Sequence, residues 1–152
     1  MSMPGQQRVA CDSIGFALLC QHAVSSVLTK TDRRALVDHI RRAEMVGAGA
    51  LAMAARLLGL KLLYASVLDD GKIDTKCAAG GSRVIYAIDE RAPQSGRLFH
   101  YDEFAVEDCG IHVGSLLGAT LIGMKAGTHG PLLQPDGTCR RVHLISVGSR
   151  YA

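Results

Sequence analysis

The chain has no tryptophan, and with three Phe and four Tyr its aromatics make up only 5% of 152 residues. So few aromatics exclude a base-stacking platform for single-stranded nucleic acid. Long hydrophobic runs are missing as well. The apolar stretch Ile14-Gly-Phe-Ala-Leu-Leu-Cys20 falls far below the ~18 residues of a membrane span. It fails as a secretory leader too: Asp12 interrupts the approach, Gln21-His22 follow at once, and Leu19 is too bulky beside Cys20 for a lipoprotein cleavage site. A cytoplasmic protein without membrane contact is expected. Charge of one sign is scarce: 17 Lys and Arg against 14 Asp and Glu leave +3, well short of the cation density of a nucleic-acid-binding domain. The five cysteines (11, 20, 77, 109, 139) contain no C-x-x-C pair. The six histidines are scattered with no i, i+4 pair among them, so neither a metal site nor a cofactor is expected.

What is present is a globular composition, 48% hydrophobic and 20% charged, enough for one domain with a helical appendage. Its character changes near Asp69-Asp70-Gly71. Residues 1–28 read as a variable N-terminal extension. Residues 29–68 read as a helical hairpin. Thr29 or Thr31 can cap its first helix with Asp32 in the first turn. Leu36, Val37, Ile40 and Ala43 recur at helical spacing, and Asp38 stands four residues from both Arg34 and Arg42. Gly47-Ala-Gly49 breaks that helix. A second, more apolar helix runs through Leu51, Ala54, Leu57, Leu58, Lys61, Leu62 and Val67.

Residues 69–80 read as a linker, and beyond it the pattern is strand-like. Ser82–Ile88 alternates, with Val84, Tyr86 and Ile88 on one face. Ala92–Gly96 is a turn, Arg97–Tyr101 a strand, Asp102–Gly110 an acidic loop and Ile111–Val113 a short strand. Leu116–Met124 is a short helix, in which Gly118, Ala119 and Gly123 permit close backbone approach. Pro135-Asp-Gly-Thr138 is a hairpin turn between Pro131–Gln134 and Arg140–Val147. The sum is an α+β fold: a short N-terminal antiparallel helical hairpin followed by a small antiparallel sheet with one short helix.

Five of these features occur in order from Gly81 to Val147: Gly-Ser-Arg-Val-Ile-Tyr86, an acidic loop, Ile-His-Val-Gly-Ser115, Leu-Leu-Gly-Ala-Thr-Leu-Ile-Gly123 with Met-Lys-Ala-Gly127, and the final Asp-Gly hairpin. In that order they resemble the C-terminal, FKBP-like domain of the Gre and Rnk transcription factors, here residues 81–148. The hairpin stands where that family carries its N-terminal coiled coil. The resemblance implies a non-enzymatic regulator whose partner is RNA polymerase, bound near the secondary channel. In Gre factors the strand-to-helix corner makes this contact, usually through Asp-Ser-Pro. The matching residues here are Gly114, Ser115 and Leu116. The serine is retained, the acid and proline are not, and Leu116 offers apolar burial of roughly 1.5–3 kcal/mol if fully covered.

Gre-type transcript cleavage needs paired carboxylates at the hairpin tip to hold a second Mg²⁺. The tip Glu44-Met-Val-Gly-Ala-Gly-Ala50 has one acid, and Asp69-Asp70 lies at the base. About 16 residues per arm reach only ~24 Å. No catalytic residue is therefore expected, and neither a phosphate-binding loop nor a nucleophile elbow is present.

Two surfaces complete the reading. Lys30, Arg33, Arg34, Arg41 and Arg42 give the first helix a basic face, whose composition is that of a solvated surface rather than a sequence-specific nucleic-acid reader. Leucines 57, 58, 60, 62 and 63 surround more of the second helix than a two-helix hairpin hides. That helix is expected either to pack on the sheet or to pair in a homo-oligomer. The alternative to polymerase binding is thus an interaction module with another partner.

Overall fold

The structure, a computed structural model, describes residues 13–47, 49–69, 75–101 and 109–148. Most of the expected acidic loop (102–108), the middle of the expected linker (70–74) and Cys11 lie outside them.

The first element is α1 (Ser13–Ser25). Residues read as extension are a packed helix, because Gly15, Leu19, His22 and Ala23 fall at helical spacing and are buried. Strand β1 (Val27–Leu28) leads into α2 (Lys30–Val46), and after α3 (Gly49–Tyr64) comes β2 (Ser66–Val67). Thr29 is the N-cap of α2, its hydroxyl accepting from Asp32 N–H at 3.0 Å. Gly47 ends the helix in the left-handed region at φ 82°, donating to Ala43 O. β1 and β2 pair in parallel. The start of α2 and the end of α3 are thereby held side by side, so the two helices run antiparallel.

The main sheet has the order β5-β4-β3-β7-β6, built from β3 (Arg83–Ile88), β4 (Gln94–Phe99), β5 (Gly110–His112), β6 (His129–Leu133) and β7 (Cys139–Val147). Helix α4 (Leu116–Leu121) lies between β5 and β6 in sequence. The α+β class is as expected, but the sheet is mixed rather than antiparallel. β4 and β5 run parallel, Arg97 facing Gly110 and Phe99 facing His112. The expected turn at Ala92–Gly96 also starts earlier. Asp89, at φ 53°, turns the chain, and Gly96 sits inside β4, where a Cβ would come within 2.7 Å of Cys109 O.

One hydrophobic cluster joins both halves. It takes Leu36, Leu57 and Leu58 from the helices, Val84, Leu98, Val142 and Leu144 from the sheet, and Leu121 and Ile122 from α4 and its end. The apolar α3 packs against α1, α2 and α4, which takes up part of its leucine surface. Leu57 and Leu58 are buried and Leu60 and Leu62 partly so, leaving Leu63 74% exposed.

Candidate partner-binding site

The corner begins at β5 and turns into α4. Ser115 is the N-cap of α4, in extended backbone; its hydroxyl accepts from Gly118 N–H at 3.0 Å and donates to His112 O at 2.6 Å. Gly114 is buried, its N–H donating to His112 Nδ1 at 3.2 Å. A Cβ on Gly114 would stand 2.7 Å from the His112 ring. Leu116 is half-buried, resting against the core. Ser115 is therefore engaged in holding the turn, and the outward remainder of the corner is the flank of Leu116. Gly118 is the tightest point: a Cβ there would collide with the His112 carbonyl oxygen. This close approach is what the glycine-rich sequence anticipates.

Beneath the corner lies a polar network that sequence reading misses. His100 Nε2 donates to Asp32 at 2.7 Å, and His39 Nε2 lies 3.0 Å from His100 Nδ1. Since a carboxylate only accepts, His100 Nε2 is the donor in the bond to Asp32. The His112 ring meets His39 edge-on, with centroids 5.0 Å apart. Asp32 also accepts from Gly80 N–H at 3.1 Å. Three scattered histidines thus converge where α2 meets the sheet edge. Burial, then the neighbouring His100, His112 and Arg42, lowers the His39 pKa to about 4 against the opposing pull of Asp38. Among the described residues, no cluster of three or more His, Cys, Asp or Glu side chains could hold a metal. Cys20 and Cys109 are free thiols.

A second anchor fastens α3 to α4. Lys61 continues the buried stripe of Ala54, Leu57 and Leu58 and is fully buried. Its amine donates to Thr120 O at 2.7 Å and Ile122 O at 2.6 Å, satisfying carbonyls at the C-terminal end of α4. His22 Nε2 donates to the same Thr120 O at 3.0 Å. Burial, then the Lys61 charge, lowers the His22 pKa to about 3.

The tip and the basic face are open. Glu44 is exposed and Met45 is 89% exposed. Arg33, Arg34, Arg41 and Arg42 are all exposed. The expected pairing of Asp38 with Arg34 and Arg42 does not form. Asp38 instead accepts from the Tyr101 hydroxyl at 2.8 Å, and Arg42 lies over the Tyr101 ring at 5.3 Å. No helix among the described residues is long and apolar enough to cross a membrane.

Neither a protein-family model nor a curated protein matches the sequence. Among solved structures the chain is similar to the prokaryotic transcription elongation factor GreA/GreB from Nitrosomonas europaea, at 18% identity and TM-score 0.59, with 82% of this chain and 99% of that chain covered. GreA factor homolog 1 of Thermus thermophilus aligns at 19% identity and TM-score 0.38 over 82% of this chain and 99% of its own. The Thermus aquaticus protein aligns at 18% identity and TM-score 0.40 over 83% and 99%. On the first of these likenesses, the chain carries a transcription elongation factor-like fold.

Proposed function

We propose that the chain is a non-enzymatic, cytoplasmic regulator that binds bacterial RNA polymerase near its secondary channel and acts by occupying it. The observation that carries this reading is the elongation factor-like fold, matched over 82% of the chain, combined with a hairpin tip that presents Glu44 as its one carboxylate. Two-metal cleavage needs two hard oxygen ligands side by side, and the tip offers an exposed thioether, Met45, beside that acid. An arm of 17 residues in α2 reaches about 26 Å at ~1.5 Å per residue. Docking falls to the corner Gly114-Ser115-Leu116, where the half-buried Leu116 flank replaces the charge of an acidic residue with apolar contact.

The test combines capture on immobilised core polymerase with a transcript-cleavage assay on stalled elongation complexes. Retention of the chain with no shortening of the RNA is expected. Shortened RNA, or a chain that passes through unretained, would contradict the proposal.

A specific feature favours a second reading, an interaction module with a partner other than polymerase. Phe16, Met53, Leu60 and Leu63 line an open apolar groove of about 600 Å³ between α1, α3 and the β6–β7 hairpin. Phe16 is 53% exposed. Sedimentation analysis decides whether that groove pairs two copies: a monomer at every concentration removes the homo-oligomer from this reading.

A further inference from the structure

His129 on β6 and His143 on β7 take no part in the corner, the hairpin or the buried networks. They face each other in register across the antiparallel pair. The neighbouring Leu144 N–H donates to Thr128 O at 3.0 Å. Residues 129 and 143 therefore occupy the adjacent, non-hydrogen-bonded position, where Cα atoms approach to ~4.5 Å and side chains stand closest. Their rings are nearly parallel, 16° apart in plane with centroids at 4.2 Å. Both point to the outer face of the sheet, His129 exposed and His143 half-buried, while Val142 and Leu144 on either side of His143 are buried in the core. Among the described residues, no hydrogen-bond partner occupies the ring nitrogens of either histidine.

We infer that His129 and His143 form a two-histidine site for a late first-row divalent cation, with water completing the coordination. Imidazole nitrogen suits Cu²⁺, Ni²⁺ and Zn²⁺ and is a poor choice for Mg²⁺ or Ca²⁺. With metal–nitrogen bonds of about 2.05 Å at a tetrahedral angle, two ligating nitrogens sit roughly 3.3 Å apart. Rings already stacked at 4.2 Å reach that separation by rotating about their own side-chain bonds, without moving the strands. Two protein ligands on an open face make an exchangeable site, distinct from a closed four-ligand structural centre. The bound ion would tie β6 to β7 beside Arg141, whose positive charge limits its affinity.

The other described histidines compete poorly. His22, His39 and His100 are buried and hydrogen-bonded, and His112 Nδ1 accepts from Gly114 N–H.

The experiment is calorimetric titration of the untagged full chain with CuCl₂ and ZnCl₂ at pH 7.5, alongside His129→Gln, His143→Gln and the double variant. One equivalent of metal is expected on the wild type, Cu²⁺ binding more tightly than Zn²⁺. Each single substitution should weaken binding by more than the roughly tenfold typical of losing an outer-shell partner. Thermal melts of the metal-free variants should match the wild type, because both side chains lie on the outer face. A wild type that takes up no metal, single variants that change affinity less than threefold, or a double variant that binds as before would each overturn the inference.

Discussion

The base and the tip of the helical hairpin use the same two helices in opposite ways. At the base, Asp32 and Lys61 are both buried, and each reaches out of the hairpin: Asp32 to His100 and Gly80, Lys61 to the carbonyls that end α4. The parallel β1–β2 pair adds backbone bonds, Ser66 N–H to Ser26 O at 3.0 Å and Leu68 N–H to Leu28 O at 2.8 Å. At the tip, Glu44, Met45 and Leu51 are exposed. Polar groups at the base set the angle of the hairpin against the sheet, whereas the tip occupies space. Such a division fits a regulator that acts by blocking.

Substitutions should be costly at the base and tolerated at the tip. Lys61→Ala should cost most, roughly 3–5 kcal/mol, since it opens a cavity and strands two buried carbonyls; urea unfolding measures it. Gly118→Ala comes next at about 3 kcal/mol, because its Cβ would collide with the His112 carbonyl, which is backbone and cannot swing aside. Acid should act on the same region. His39 and His22 have folded pKa values of about 4 and about 3, below the unfolded 6.5. Their contribution is whole above pH 6.5 and is lost as pH falls from there towards 4 and then 3. Melting temperature against pH should fall across that window, and His39→Gln should flatten part of the slope. Met45→Ser at the tip should change stability by no more than about 0.5 kcal/mol. A tip substitution as costly as Lys61→Ala would end the distinction.

Much of the fold was legible because it is local. Thr29 as cap, Gly47 as terminator, the alternation of Val84, Tyr86 and Ile88, and the close approach at Gly118 each follow from a few neighbouring residues. The stripe Ala54-Leu57-Leu58-Lys61 was legible as well, although only the distant carbonyls of Thr120 and Ile122 explain a buried lysine on it. The misses are long-range. His39, His100 and His112 stand far apart in sequence, and only the seating of α2 on the sheet edge joins them. The parallel β4–β5 pair depends on a connection whose local pattern says nothing of direction. Helix α1 is hidden because Gln21-His22 reads as the end of an apolar run, whereas His22 is buried with its ring N–H on Thr120 O. At the corner the strand-to-helix turn was legible and the work of its residues was not: Ser115 caps α4 and Gly114 makes room for the His112 ring.

The most direct test of that account is a binding titration of core RNA polymerase with the wild-type chain and with Leu116→Asp, each checked for an unchanged melting profile. Saturable binding by the wild type, weakened at least tenfold (about 1.4 kcal/mol) by Leu116→Asp, is the predicted result. A wild type that does not bind, or a folded Leu116→Asp that binds equally well, would contradict it.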